Sequence, residues 1–285
     1  MTKTAFIFPG QGSQSVGMGK DLYDSVPAAK EIFQQADQAL GFSLTDLIFT
    51  GAAADLQKTV NAQPAILTVS IAMLVAKNVL PDVVAGHSLG EYSALVCAGA
   101  LDFREAVDLV RFRGECMERA VPDGAGGMAA VLGLADEIIE QVLARSAGVE
   151  IANYNCPGQT VISGASAALQ KVCAELTAAG AKRVMPLAVS GPFHSGMMQS
   201  AAEEYKQRLN AARISEPKIQ VVANVTADYA PNAAAIRDLL YRQVFSPVRW
   251  TQSVRKMSTD GVSVFTEIGP GKVLTNLVKK IVPEN

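Results

Sequence analysis

The segment Gly86-His87-Ser88-Leu89-Gly90 sets a serine between glycines two residues to either side. An apolar run at residues 83–85 precedes it and a small-residue helical stretch, 89–98, follows. Strand, tight turn and helix are the context in which G-x-S-x-G exposes a nucleophilic hydroxyl, because the glycines let neighbouring backbone pass closely. The helix N-terminus behind Ser88 offers free N–H groups and a positive dipole end, suited to a developing oxyanion. A serine hydroxyl needs a base. The chain has two histidines, His87 and His194. His87 adjoins the serine on a tight turn, where side chains diverge. His194, in Gly191-Pro192-Phe193-His194-Ser195, is therefore the expected base. No orienting carboxylate is evident beside it; Asp228 or a backbone carbonyl could fill that place.

A third group stands out on the helical stretch 102–119. Arg104, Asp108, Arg111 and Glu115 recur at helical spacing as a solvated, ion-pairing face. Ala106, Val110 and Met117 form the apolar stripe, and Arg113 falls on that same side. A buried guanidinium is costly without a partner, so Arg113 should meet a carboxylate. That carboxylate is either an internal Asp or Glu or the substrate's own, held in a bidentate fork. The glycine loop Pro9-Gly10-Gln11-Gly12 is not a nucleotide loop. Met18 stands where a phosphate loop requires lysine, and the third glycine of a dinucleotide fingerprint is absent. A loop after the first strand can instead donate the second N–H of an oxyanion hole.

The elements that must carry these residues alternate. Strands are expected at 4–8, 83–85, 219–223 and 262–267, with helices at 28–40, 64–78, 89–98, 102–119 and from Lys272 onward. That alternation indicates an α/β fold with a largely parallel sheet. After the glycine-rich stretch 122–127 the order changes to strand 128–132, helix 135–146, strand 149–153, strand 159–163, helix 165–179 and strand 182–186, with a turn at 155–158. This is the βαββαβ order of a ferredoxin-like unit. We therefore expect an α/β-hydrolase-like catalytic domain over 1–124 and 188–285, interrupted by a ferredoxin-like subdomain at 125–187.

Composition narrows the classes. The 285 residues carry a net charge of −2 with 18% charged side chains, which argues against nucleic acid as a partner. A 49% hydrophobic content excludes a disordered chain. Cys97, Cys116, Cys156 and Cys173 have no paired spacing, so buried free thiols are expected rather than a metal site or disulfides. The apolar stretch 60–76 is broken by Asn61, Gln63 and Pro64 and is not expected to span a membrane. With no signal-peptide pattern at the start, a cytoplasmic protein is expected.

Taken together, Phe8-Pro9-Gly10-Gln11-Gly12-Ser13-Gln14, Gln63-Pro64-Ala65, the serine motif extended through Glu91-Tyr92-Ser93-Ala94, Arg113-Gly114, Gly191-Pro192-Phe193-His194-Ser195 and Pro247-Val248 with Trp250 resemble the malonyl-CoA:acyl-carrier-protein transacylase family. The resemblance spans nearly the whole chain. It implies that Ser88 is acylated, that His194 is the base, and that the backbone carbonyl of Gln243 orients it. It implies an oxyanion hole from the N–H groups of Gln11 and Leu89, and a grip on the malonyl carboxylate by Arg113. Gln63 and Phe193 would line the pocket, and Asn155 would approach the pantetheine arm. The substrates would be malonyl-CoA and phosphopantetheinylated acyl carrier protein, with no resident cofactor or metal, and a monomer is expected. A transacylase of a polyketide or malonate decarboxylase system, a serine thioesterase or hydrolase, and a non-catalytic carrier-docking module are the competing readings. The intact Ser88, His194 and Arg113 weigh against the last.

Overall fold

The computed structural model describes residues 2–282; the outermost positions of the expected outer domain, Met1 and 283–285, lie outside the described residues. The chain opens with β1 (Lys3–Phe8), then α1 (Lys20–Ser25), α2 (Pro27–Leu40), α3 (Leu44–Thr50), α4 (Ala53–Gln57) and α5 (Thr59–Lys77). Next come β2 (Val83–Gly86), α6 (Gly90–Cys97) and α7 (Phe103–Arg119), the last capped by Asp102, whose carboxylate accepts from the N–H groups of Arg104 and Glu105. A second group follows: β3 (Gly126–Leu132), α8 (Asp136–Leu143), β4 (Val149–Cys156), β5 (Gln159–Ala165), α9 (Ser166–Ala178) and β6 (Arg183–Pro186). The chain then returns through α10 (Gln199–Ala211), β7 (Gln220–Val222), α11 (Ala233–Gln243), α12 (Trp250–Thr259), β8 (Val262–Glu267) and α13 (Val273–Ile281).

The first sheet is parallel, in the order β7-β2-β1-β8. Its central strands β1 and β2 are buried on both faces, which is why they read as continuous apolar runs. Phe6, Phe8 and Val84 pack on one side with the helices of the main core, α5 and α7 among them. Ala5, Ile7, Val83 and Ala85 face the other side with Trp250, Val254 and Met257 of α12 and Leu274 of α13. The second sheet is antiparallel, in the order β4-β5-β3-β6, with its own core of Val131, Ile139, Ile162, Val172 and Leu176 under α8 and α9. Two backbone bonds fasten it to the first unit. Tyr154 N–H donates to the Val248 carbonyl at 2.9 Å, and Val248 N–H to that of Ala152 at 2.8 Å.

Several boundaries differ from expectation for local reasons. β4 runs to Cys156 rather than stopping at 153, because the hairpin turn is only Pro157-Gly158, with Gly158 at φ 74°. The turn expected at 155–158 is thus shorter, and Asn155 belongs to a strand. α5 begins at Thr59, five residues before the expected start, with Pro64 inside it. A proline there removes the N–H that would serve the carbonyl of residue 60. Arg111 Nη1 donates to that Val60 carbonyl at 3.3 Å, so the gap is filled by a side chain of α7. α5 is long and apolar enough to cross a membrane by composition, but two-thirds of it is buried within this fold. The short helices α1, α3 and α4, and α10 to α12, were not read from the sequence. Trp250, fully buried, is the largest side chain of the α12 face. Trp250→Ala should lower unfolding free energy by about 3–5 kcal/mol in urea titration; a loss below 1 kcal/mol would show that this layer does not hold α12 to the sheet.

Candidate active site

β1 and β2 run side by side with Phe8 opposite Gly86, so the loops leaving their C-terminal ends emerge together. That edge of a parallel sheet is where open α/β folds place ligands. Ser88 occupies the turn with φ 51°, a left-handed conformation that is strained for a side chain bearing Cβ. The flanking glycines have physical reasons to be there. A Cβ on Gly86 would overlap the backbone of Gly90, and one on Gly90 would overlap the carbonyl of Phe8.

Side chains from distant segments hold the turn. Ser88 N–H donates to Asn224 Oδ1 at 2.7 Å, and Asn224 Nδ2 donates to the Gly86 carbonyl at 2.6 Å. Gln243 Nε2 donates to the Ser88 carbonyl at 3.0 Å and to Glu91 Oε2 at 2.7 Å. Glu91 Oε2 also accepts from Asn224 N–H at 3.1 Å. Asn224, Glu91 and the Gln243 side chain were not among the sequence candidates. Only Glu91 carried a signal: an acid in the first turn of a helix that is otherwise small and apolar.

Ser88 Oγ lies 2.8 Å from His194 Nε2. His194 Nδ1 faces two carbonyl oxygens, Gln243 at 2.8 Å and Ser246 at 3.2 Å. Carbonyls only accept, so Nδ1 carries the ring proton and Nε2 presents its lone pair to the serine hydroxyl. Burial, then the nearby Arg113 charge, push the imidazole down to about 3, so it is neutral at ordinary pH. Asp228, the alternative orienting group, sits elsewhere, its carboxylate accepting from the exposed Tyr229 N–H. His87 Nε2 pairs with Asn155 Oδ1 at 2.9 Å, and its ring tilts against Trp250. Asn155 is thus a buried β4 residue whose amide oxygen is engaged by His87.

Arg113 is 1% exposed, and of the two carboxylate partners expected for it the internal one is absent: among the described residues, no carboxylate contacts it. Nη1 donates to Gln63 Oε1 and Nη2 to Gln243 Oε1, each at 2.9 Å, and Nη2 also reaches Ser88 Oγ at 3.2 Å. Its Nε–H is buried without an acceptor among the described residues. The guanidinium stacks over Tyr92, 5.7 Å from the ring centroid. Its charge thus stays available beside the serine, with neutral amides fixing its position.

These groups meet in a cavity of about 360 Å³ lined by Gln11, Ser88, Leu89, Arg113, Phe193 and His194. A second cavity of about 200 Å³, bordered by Asn155, Val273 and Leu274, shares Gln11, His87 and Leu187 with the first. Among the described residues, neither the Gln11 nor the Leu89 N–H has a protein acceptor. Gln63 touches Arg113 rather than open space, its Nε2 turned toward the Met117 sulfur. No group of three or more His, Cys, Asp or Glu among the described residues is placed to hold a metal ion. The arrangement can activate a hydroxyl, steady an oxyanion and receive an anion close to the new bond.

A model of the acyl transferase domain family matches residues 5–284. The malonyl CoA-acyl carrier protein transacylase of Bacillus subtilis (strain 168) is 51% identical over 99% of this chain and 91% of its own length. That of Escherichia coli K12 is 47% identical, covering 99% and 94%. The chain belongs to the malonyl-CoA:acyl-carrier-protein transacylase family. Solved structures agree in fold. An acyl carrier protein S-malonyltransferase from Vibrio cholerae superposes with a TM-score of 0.94 at 45% identity, over 99% of this chain and 94% of that one. A malonyl-transacylase in complex with its type II PKS acyl-carrier protein gives 0.96 at 43% identity, over 99% and 93%.

Two of the buried titratable groups, His194 and Glu91, act on stability with opposite sign. His194, at about 3 instead of 6.5, contributes stability that is full above pH 6.5 and lost as pH falls toward 3. Glu91, pushed up from 4.5 to about 7 by burial, contributes stability that is full below pH 4.5 and lost as pH rises toward 7. The two offset each other between 4.5 and 6.5, while His87, also pushed down by burial, acts in the same direction as His194. His194→Gln should therefore lose less melting temperature than the native chain between pH 4.5 and 3 in scanning calorimetry. Parallel curves would mean that the imidazole is not held neutral by its burial.

Proposed function

We propose that this chain transfers a malonyl group from malonyl-CoA to the phosphopantetheine thiol of an acyl carrier protein, through a malonyl ester of Ser88. The observation that carries the reading is Arg113: a buried cation beside the nucleophile, positioned by amides and, among the described residues, in contact with no carboxylate. The guanidinium stands beside Oγ at 3.2 Å, and a malonyl carboxylate lies one methylene beyond the carbonyl that Ser88 attacks. It would take over the Nη2–H directed at the serine and add a second from Nη1. A hydrolase for neutral esters has no use for such a charge.

In the proposed sequence, His194 Nε2 takes the Ser88 proton as Oγ adds to the thioester carbonyl. The oxyanion rests on the N–H groups of Gln11 and Leu89. Collapse breaks the C–S bond, and the CoA sulfur leaves with the proton from His194. The carrier's thiol then gives its proton to His194, attacks the malonyl ester and returns Oγ to the hydroxyl. The Gln243 and Ser246 carbonyls stabilise the transient imidazolium. Phe193 lines the malonyl end, Gln63 acts there by holding Arg113, and the second cavity, past Asn155, takes the pantetheine arm. We read the enzyme as cytoplasmic and monomeric, with both substrates arriving as thioester or thiol and no resident cofactor. A carrier protein as partner is supported by the structural relative solved with its own carrier.

Brief incubation with malonyl-CoA should add one malonyl mass to the peptide containing Ser88, and holo-carrier protein should then remove it as malonyl-carrier. An adduct elsewhere, or one retained in Ser88→Ala, would overturn the nucleophile assignment; free malonate as the main product would make the chain a hydrolase. Arg113→Ala should reduce the preference for malonyl over acetyl by a charge-assisted hydrogen bond, about 1.5–3 kcal/mol or roughly 10–150-fold. Unchanged selectivity would confine Arg113 to an internal structural role.

A further inference from the structure

The base of this site is oriented by two neutral carbonyls, yet a buried carboxylate lies one side chain away with no part in the reaction as described. Glu91 is 3% exposed, and its Oε2 accepts from Gln243 Nε2 and Asn224 N–H. The same Gln243 amide offers its oxygen to Arg113 Nη2 at 2.9 Å, while its backbone carbonyl receives His194 Nδ1–H at 2.8 Å. One glutamine therefore joins an anion, a cation and the base. An amide between a carboxylate and a guanidinium has one favourable orientation, nitrogen toward the acid and oxygen toward the base cation.

We propose that Glu91 is a positioning residue for the acyl-transfer reaction: relayed through Gln243, its carboxylate supplies the negative charge that Ser-His-Asp sites place directly on the histidine. Direct contact would defeat the site. A Glu91–Arg113 ion pair would occupy the N–H groups that a substrate carboxylate needs, and a carboxylate on Nδ1 would require room that the Gln243 and Ser246 carbonyls fill. The interposed amide lets the charge temper Arg113 while taking a single Nη2–H. It also offsets the second positive charge that arises when His194 takes the serine proton beside Arg113.

The ionisable surroundings of Glu91 are few. Arg113 from α7 acts on it directly and favours its charged form. Tyr92 lies on its own helix, bonded to the Tyr205 hydroxyl of α10 at 2.8 Å, and both phenols are raised by burial. His194 and His87 on the adjoining loops are both pushed down by burial. The buried stretches packed on α6 from β1 (residues 5–8), β2 (83–86) and α5 (62–72) contain no titratable residue. Burial pushes Glu91 itself up to about 7. The group that loses its charge first as the solution is acidified from neutrality is thus Glu91, while His194 stays neutral.

The test rests on the malonyl-transfer reading and uses the full-length enzyme with malonyl-CoA and holo-carrier protein. Wild-type enzyme should show kcat falling as pH drops through about 7. Glu91→Gln, isosteric and uncharged, should hold kcat about three- to tenfold below the wild-type plateau, without that limb between pH 5.5 and 7.5 and without a rise in KM for malonyl-CoA. Glu91→Asp should restore part of the rate and the limb. An unchanged kcat in Glu91→Gln, or a lower kcat with the limb in place, would overturn the proposal. Should the variant not fold, ¹³C-carboxyl glutamate NMR of the wild type decides: one glutamate titrating in step with kcat supports it, and none near neutrality overturns it. Malonate release instead of carrier loading would refute the transfer reading alone, since the limb is equally readable in malonyl-CoA consumption.

Discussion

A serine held in left-handed backbone is the constraint on which the site depends. At φ 51° the Ser88 turn is not a conformation its residues would choose, and nothing within the turn pays for it. The restraint comes from outside. Asn224 grips the turn on both sides of His87, and Gln243 takes the Ser88 carbonyl. The parallel sheet brings these together, because Asn224 follows β7, Gln243 ends α11, and the serine turn joins β2 to α6. The small glycines matter for the same reason, since α6 packs backbone against the end of β1 at Gly90.

The second constraint is electrostatic. A buried guanidinium is tolerated here on two amide oxygens, a serine oxygen and an aromatic face rather than on an ion pair. An ion pair would have met the burial cost more simply but would have neutralised the charge. Amides orient the cation and leave its field in the cavity, where it is one reason His194 is held neutral. Binding and base strength are therefore coupled: an anion that neutralises Arg113 removes a charge that opposes protonation of His194.

Much of this was legible in the sequence wherever local pattern decides structure. The serine motif between an apolar strand and a small-residue helix specified the parallel sheet edge, and the apolar side of α7 exposed Arg113 as misplaced. The βαββαβ order was readable from alternating periodicities. The rest depends on contacts between remote segments. Arg113 finding Gln63 and Gln243, fifty and 130 residues away, has no local signature, and charge alone does not distinguish these amide partners from an internal carboxylate. Asn224 lies in a stretch whose composition says only loop. Asn155 was placed in a turn because Asn-Cys-Pro-Gly is rich in turn formers, whereas the two-residue hairpin needs only Pro157 and Gly158. Pro64 marked a helix start by its missing N–H, a deficit that Arg111 makes good from another helix.

The account turns on His194 being a neutral, correctly oriented base before any substrate arrives. ¹⁵N NMR of histidine-labelled enzyme, with His87 assigned by substitution, reads that state directly. The structure predicts His194 as the Nδ1–H tautomer with an unprotonated Nε2, unchanged from pH 8 down to about 4. An imidazole that titrates near 6.5, or that carries its proton on Nε2, would contradict it.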